Sequence, residues 1–373
     1  MRGPPVKPIV IAAGGTGGHF FPAEALAATL VERGHRIALM ADRRSGGLRS
    51  KVFAGRETFI LMGAGIAGRG VLRAAAATLT LGAGAAQART IFGQLDPAIV
   101  VGFGGYPSVA PVLGAGMLKG ERRPPVILHE QNAVLGRANR FLARRATALA
   151  LSFENTQLVP PAARTIVTGN PVRPAIAALS SLPYGPPDGT IRLFVFGGSL
   201  GARVLSDVVP QAICALPDAL RARVRVVQQC RGEDLQRVRG VYAQAGIDAE
   251  LWAFFPDIAE RLQAAHLVIA RAGASTVAEI AAAGRPAVLV PLPSAIDDHQ
   301  TANADALARA GAAWLMPQPR FTAEALSSHL LSVLTRTSEL VRAAKAARAQ
   351  ARPDAADSLA DLVEALMTQE ARS

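Results

Sequence analysis

Short apolar runs rich in β-branched residues alternate along the chain with Ala-rich helical stretches. The runs predict strands at Pro8–Ile11, Ile37–Met40, Ala98–Val101, Val126–His129, Ala148–Leu151 and Thr165–Val167. A second set follows at Arg192–Phe196, Val224–Val227, Glu250–Ala253, Leu267–Ala270, Ala287–Val290 and Ala313–Leu315. Strands alternating with helices imply βαβ units. Continuously apolar strands imply parallel sheets covered on both faces.

Between the two sets lies "SSLPYGPPDGT", residues 180–190, whose three prolines and two glycines carry no periodicity and predict a linker. Both halves open alike, with "PIVIAAGGTGGH" and "RLFVFGGSLGAR": a buried strand, a glycine loop, then a helical stretch. The expected fold is α/β, with two Rossmann-like doubly wound domains over residues 1–179 and 191–350 and a final helix in 351–373 packing back toward the first domain. Ligands of such sheets sit at the carboxyl ends of the strands, which makes the cleft between the domains the expected site.

Composition narrows this picture. A chain of 373 residues suits two domains, and 50% hydrophobic against 18% charged residues excludes disorder. A formal charge of +12 favours anionic partners. No basic stretch is interleaved with stacking aromatics, so nucleic acid is not expected. Cys214 and Cys230 stand outside any CxxC pair and suit a reducing compartment. The start of the chain lacks a signal-peptide pattern. The longest uncharged stretch, 97–118, is broken by five glycines and three prolines, so no transmembrane helix is expected.

The glycines of "AAGGTGGHFFP" (12–22) allow a tight turn and close approach of a ligand to a helix expected to start near Pro22. The same glycines would also serve a simple strand-to-helix turn. His19 adds a group able to act as a base near neutral pH. In the second half, Ser199 and Arg203 of "GGSLGAR" repeat the device, and a helix beginning near Ala274 turns its amino end to the same side. Glu279 lies one turn beyond Ser275 and suits a pair of ribose hydroxyls; Gln300 and Asn303 present neutral amides suited to a sugar. Tyr106, Glu130, Gln131 and Asn132 follow strands of the first half, on the side of His19. Phosphate-type loops, sugar-type amides, one candidate base and no metal-ligand cluster suggest nucleotide-sugar chemistry.

The segments "GGTGGH", "GFGGYPS", "HEQNAVLGRANR", "VTGNPVR", "GGSLGAR", "GASTVAEIAAAGRPAVLVPLP" and "DDHQTANA" occur in an order that resembles the MurG family of peptidoglycan N-acetylglucosaminyltransferases, over about residues 8–316. The resemblance implies the glycosyltransferase B fold, no cofactor and no essential metal. It implies inverting transfer of GlcNAc from UDP-GlcNAc to the C4 hydroxyl of MurNAc in undecaprenyl-diphospho-MurNAc-pentapeptide (lipid I), giving lipid II. Carried over, Thr16, Gly17 and Gly18 line the donor–acceptor junction, Asn132 and Arg173 face the donor, and Ser199 touches the diphosphate. Phe255 sits beside the base, Ala274, Ser275, Thr276 and Val277 lie under a phosphate, Glu279 holds the ribose, and Gln300 and Asn303 bind GlcNAc. His19 is the implied base, with Tyr106 and Glu130 beside it. Leu200, "QQCRGED" (228–234), Ser294 and "GAGIAGRG" (63–70) depart from the family pattern without touching this set. The nearest alternative is another UDP-sugar enzyme of the same fold, a transferase to a different acceptor or a UDP-GlcNAc 2-epimerase.

A lipid acceptor implies work at the cytoplasmic face of the inner membrane, with cell-wall synthesis proteins as candidate partners. Residues 117–145 hold seven basic side chains, Arg140 and Arg144 among them, against two acids. Val71, Leu72, Leu79 and Leu81 lie on an Ala-rich helical stretch. Together they predict an apolar patch with a basic rim for anionic headgroups.

Overall fold

The computed structural model describes residues 7–14, 17–42, 50–62, 71–198 and 201–370, with the side chains of 71–76 and 370 excepted. Thr16, Ser199, Leu200 and the 63–70 segment lie outside the described residues. The chain divides into two compact units, Met1–Arg173 with Asp354–Ser373, and Pro174–Pro353.

The first unit runs β1 (Ile9–Ala12), α1 (Gly17–Glu32), β2 (Ile37–Ala41), β3 (Thr58–Ile60), α2 (Val71–Leu95), β4 (Ile99–Gly102), α3 (Val109–Gly116), β5 (Val126–Glu130), α4 (Arg137–Leu142), β6 (Ala148–Leu151) and β7 (Thr165–Val167). Its strands pair in parallel in the order β3-β2-β1-β4-β5-β6-β7. The apolar runs of β1, β2, β4, β5 and β6 become fully buried strands, because helices cover both faces, while β7 at the sheet edge stays partly exposed. On one face α1 packs with Ile9, Ile11, Val101 and Ile127. On the other, α2, α3 and α4 cover Val10, Val100, Leu128 and Leu149. α2 and α3 cross closely: a β-carbon on Gly114 would lie 2.7 Å from that of Ala88. β3 has no counterpart in the apolar pattern. It is a short edge strand with two of three residues exposed, so no hydrophobic run announces it.

The second unit runs α5 (Pro174–Ala177), β8 (Ile191–Phe196), α6 (Arg203–Cys214), α7 (Asp218–Arg221), β9 (Val224–Gln229), α8 (Leu235–Gln244), β10 (Asp248–Trp252), α9 (Ile258–Ala264), β11 (Leu267–Ala270), α10 (Ala274–Ala283), β12 (Ala287–Leu289), α11 (His299–Arg309), β13 (Ala313–Leu315), α12 (Ala323–Thr335) and α13 (Thr337–Ala349). Its parallel order is β10-β9-β8-β11-β12-β13. The 180–190 stretch, expected as a linker, packs within this unit. The Tyr184 hydroxyl donates to the His266 carbonyl at 2.9 Å, and Arg348 donates to the Leu182 carbonyl. The division between units therefore falls at 173/174, ahead of the expected boundary at 179.

The last helix, α14 (Ala355–Glu370), belongs to the first unit. Leu359, Ala360 and Val363 are fully buried against that unit's core. Arg33, at the end of α1, bonds Asp361 at 2.6 Å, Asp357 at 2.9 Å and Glu364 at 3.0 Å. Burying each large apolar side chain contributes about 1.5–3 kcal/mol, against about 0–1 kcal/mol for a solvent-exposed ion pair. The apolar face holds α14 in place, and the charges fix its register. Among the described residues no helix is long and apolar enough to cross a membrane.

Candidate active site

In each sheet the chain winds away from the central strand in one direction and then returns to wind the other way. The switch points lie between β1 and β4 and between β8 and β11. Loops leaving such neighbouring strands diverge and leave a crevice at their carboxyl ends. The glycine loops of the sequence lie at these two places.

In the first unit, α1 begins at Gly17 and not near Pro22, so His19 stands in the first helical turn. A β-carbon on Gly17 would meet the Phe21 ring at 2.8 Å, and the Arg173 guanidinium sits 5.1 Å from the centre of that ring. Arg173 is thereby held at the amino end of α1. After β4, Gly104 and Gly105 adopt φ of +77° and +64°, a region that side-chain-bearing residues avoid. That turn places Gly105 against His19 and brings Ser108 Oγ within 3.1 Å of the Ala12 carbonyl and 2.9 Å of the Gly104 carbonyl. Tyr106, on the same turn, donates its hydroxyl to the buried carboxylate of Asp42, which follows β2.

β5 and the loop after it supply the rest of this crevice. His19 Nδ1 lies 2.9 Å from Gln131 Oε1. Gln131 Nε2 lies 2.9 Å from His129 Nδ1, 3.1 Å from the Phe103 carbonyl and 3.2 Å from the His129 carbonyl. His129 Nε2 is 3.0 Å from the Gly169 carbonyl. Burial pushes the His129 imidazole down to about 4, so the ring is neutral at neutral pH.

The Glu130 carboxylate is fully engaged with its own loop. Its Oε1 accepts from the backbone and side-chain nitrogens of Asn132, both at 3.0 Å, and its Oε2 accepts from Gly136 N at 2.8 Å and Asn139 Nδ2 at 2.9 Å. A buried carboxylate with four donors shapes the 131–139 loop and has no lone pair directed at an acceptor hydroxyl. These four bonds make Glu130 a brace of this segment. Asn132 is half-buried, with its amide turned to Glu130.

In the second unit, Gly197 N donates to Gln229 Oε1 at 2.9 Å, and Gln229 Nε2 donates to the Ala253 carbonyl at 3.2 Å. Gly197 and Ala202 approach so closely that a β-carbon on Gly197 would lie 2.4 Å from Ala202 N. α10 follows β11 with Gly273 as its N-cap, which offers no side-chain cap to the first-turn amides of Ala274, Ser275 and Thr276. Val277 N is taken by the Gly273 carbonyl. Glu279 is buried on α10. The Arg271 guanidinium, lowered from its usual range by burial, binds the carbonyls of Val290 and Pro291 and braces the loop after β12. Gln300 Oε1 accepts from Leu292 N at 3.0 Å, which leaves its Nε2 without a described partner. Asn303 is fully buried and donates to the Ala272 carbonyl at 3.1 Å, tying α11 to the turn that opens α10. The Phe255 ring is buried against Phe194, 5.2 Å between centres, so only its backbone could face a base.

Asp42, His129, Asn139 and Gln229 are not singled out as site residues by the sequence, and Gln131 is placed on the side of His19 without a role. For His129 and Gln131 a signal existed: alternate residues of an extended segment share a face, so those two face together and Glu130 faces away. Of the apolar set, Leu79 is 76% exposed but Leu81 is buried in the core under α2. The side chains of Val71 and Leu72 lie outside the described residues. Arg144 is exposed and Arg140 half-buried, flanking Phe141, which is 54% exposed and lies under the Arg145 guanidinium at 5.3 Å.

The glycosyltransferase family 28 N-terminal domain matches residues 9–151, and the C-terminal domain of that family matches residues 192–359. The UDP-N-acetylglucosamine--N-acetylmuramyl-(pentapeptide) pyrophosphoryl-undecaprenol N-acetylglucosamine transferase of Granulibacter bethesdensis is 59% identical over 360 residues, 96% of this chain and 93% of that protein. The crystal structure of the Acinetobacter baumannii MurG matches at a TM-score of 0.77 and 32% identity, covering 96% of this chain and 99% of that one. A UDP-GlcNAc 2-epimerase from Neisseria meningitidis matches at 0.65 with 10% identity over 95% of this chain and 98% of that one, a likeness of fold alone. Two family domains matched in order, with the two parallel sheets of the glycosyltransferase B fold, place this chain in glycosyltransferase family 28, among the MurG N-acetylglucosaminyltransferases.

Proposed function

We propose that the chain transfers GlcNAc from UDP-GlcNAc to the C4 hydroxyl of MurNAc in undecaprenyl-diphospho-MurNAc-pentapeptide, inverting the anomeric carbon and releasing UDP and lipid II. The first unit supplies the base. His19 Nε2 takes the hydroxyl proton as the oxygen attacks the anomeric carbon, and the bond to the diphosphate breaks with its electrons leaving on UDP. The second unit supplies the donor site. The amide end of α10 stabilises the departing diphosphate, Glu279 accepts from the ribose, and Gln300 Nε2 donates to the sugar. The observation that carries this reading is the hydrogen bond of His19 Nδ1 to Gln131, which occupies that nitrogen and leaves Nε2, beside the side-chain-free Gly105, as the one to meet a hydroxyl. Membership of family 28 favours transfer over epimerisation.

Access to a lipid acceptor follows from Leu79, Phe141, Arg144 and Arg145, exposed side chains on α2, on α4 and just after it, helices that cover one face of the first sheet. This face docks on anionic lipid at the cytoplasmic side of the inner membrane. The test is an assay with labelled UDP-GlcNAc and a short-chain lipid I analogue. Lipid II product is expected, and Glu279→Ala is expected to weaken UDP as much as UDP-GlcNAc. Donor hydrolysis or epimerisation without transfer would overturn the proposal.

A further inference from the structure

We propose that His129 and Gln131 form a relay that selects the tautomer of His19, fixing its proton on Nδ1 and leaving Nε2 as the open lone pair. The proposal rests on the reading of His19 as the base, and it follows from which atoms can donate.

Carbonyl oxygens only accept. The Gln131 nitrogen faces two of them, those of Phe103 and His129, so that end of the amide is the NH2 and the other end is the oxygen. His19 Nδ1 faces that oxygen at 2.9 Å and must carry the proton. At the other end, His129 Nε2 faces the Gly169 carbonyl at 3.0 Å and must also carry a proton. Burial keeps the His129 ring neutral, so its Nδ1 is a bare lone pair, and it accepts from the Gln131 NH2. Every link has one donor and one acceptor, and the direction is set by the backbone carbonyls at residues 103, 129 and 169. Two of the three side chains are held by packing: His129 and Gln131 are buried, and the Phe103 ring lies 5.2 Å from that of His129.

The arrangement parallels the orienting carboxylate of a catalytic triad, with a neutral amide in its place. A carboxylate would stabilise the imidazolium more strongly. An amide fixes the tautomer and leaves the proton easier to pass on. His129 and Gln131 are therefore positioning residues, and only His19 touches the reacting hydroxyl.

The experiment is long-range 1H–15N correlation spectroscopy of the full chain with 15N-labelled histidine, the His19 and His129 signals assigned by His19→Ala and His129→Asn. In the unaltered protein near neutral pH, His19 is expected as the Nδ1–H tautomer and His129 as the Nε2–H tautomer. Gln131→Leu is expected to move His19 toward Nε2–H and to lower kcat at least about tenfold with the KM for UDP-GlcNAc unchanged. Gln131→Glu keeps an acceptor for His19 and turns a carboxylate to His129 Nδ1. It is expected to restore the His19 tautomer and to leave His129 doubly protonated. A His19 that is Nε2–H in the unaltered protein overturns the relay, whether or not the variants fold. A His19 tautomer indifferent to both substitutions does the same. The predicted tautomers combined with undiminished turnover in Gln131→Leu would uphold the relay and remove His19 from the role of base.

Discussion

A β-carbon built on Gly105 lies 3.4 Å from both Nε2 and Cδ2 of His19. The turn after β4 and the first turn of α1 thus meet across the switch point, and the residue facing the proposed base is one with no side chain. Its backbone, φ +64° and ψ 176°, is a conformation open almost only to glycine. Gly105→Ala is expected to cost about 1–3 kcal/mol of stability. It should also lower turnover about 10- to 100-fold by displacing the ring. Thermal unfolding and steady-state kinetics check both; unchanged turnover would show that the ring position is not critical.

Glu130→Gln separates a brace from a base. The amide would turn NH2 toward donors that the carboxylate now accepts. A stability loss of about 2–3 kcal/mol is expected, with residual activity that recovers as temperature is lowered. A variant of native stability that is dead at every temperature would return Glu130 to the chemistry.

These two positions show what the amino-acid pattern carries and what it hides. β1 and β8 are legible because both faces of a central strand are covered, which demands an unbroken apolar run. β3 is not, because an edge strand has little to bury. The sequence puts the start of α1 near Pro22 because glycines read as loop, although Gly17 is inside the helix, where its bare Cα makes room for the Phe21 ring. His19 was legible from its place after a buried strand. Its partner Gln131 stands 112 residues away, and Asp42 stands 64 residues from Tyr106. Such pairs exist only once the sheet order is known.

Acid stability should report the buried imidazoles. His129, in the first unit, and His266, in the second, are lowered to about 4 from 6.5, both chiefly by burial. The unfolded chain therefore binds protons first as pH falls. This stabilisation is whole above pH ~6.5 and is lost as pH drops toward about 4. For His129, folding free energy is expected to fall by about 2 kcal/mol between about pH 7.5 and 5. Carboxylates contribute chiefly below that window. Denaturant titrations across it, with 15N signals resolving the two histidines, test this; a flat profile would contradict the neutral, buried His129 that the relay needs.

Membrane docking predicts a selective defect. Phe141→Ser with Arg144→Glu removes an exposed aromatic and reverses a charge beside it, a change of more than about 2 kcal/mol at an anionic surface. Co-sedimentation with phosphatidylglycerol vesicles should weaken more than about tenfold, while transfer to a water-soluble acceptor analogue stays intact. Equal loss of both activities would place these residues in the transfer site.

The most direct measurement compares single-turnover transfer and UDP-GlcNAc affinity in the unaltered chain and in His19→Ala. A base worth about 10²–10⁴ in rate should disappear from turnover, with donor affinity held within about threefold. A loss confined to donor affinity, with the rate at saturation intact, would contradict His19 as the base.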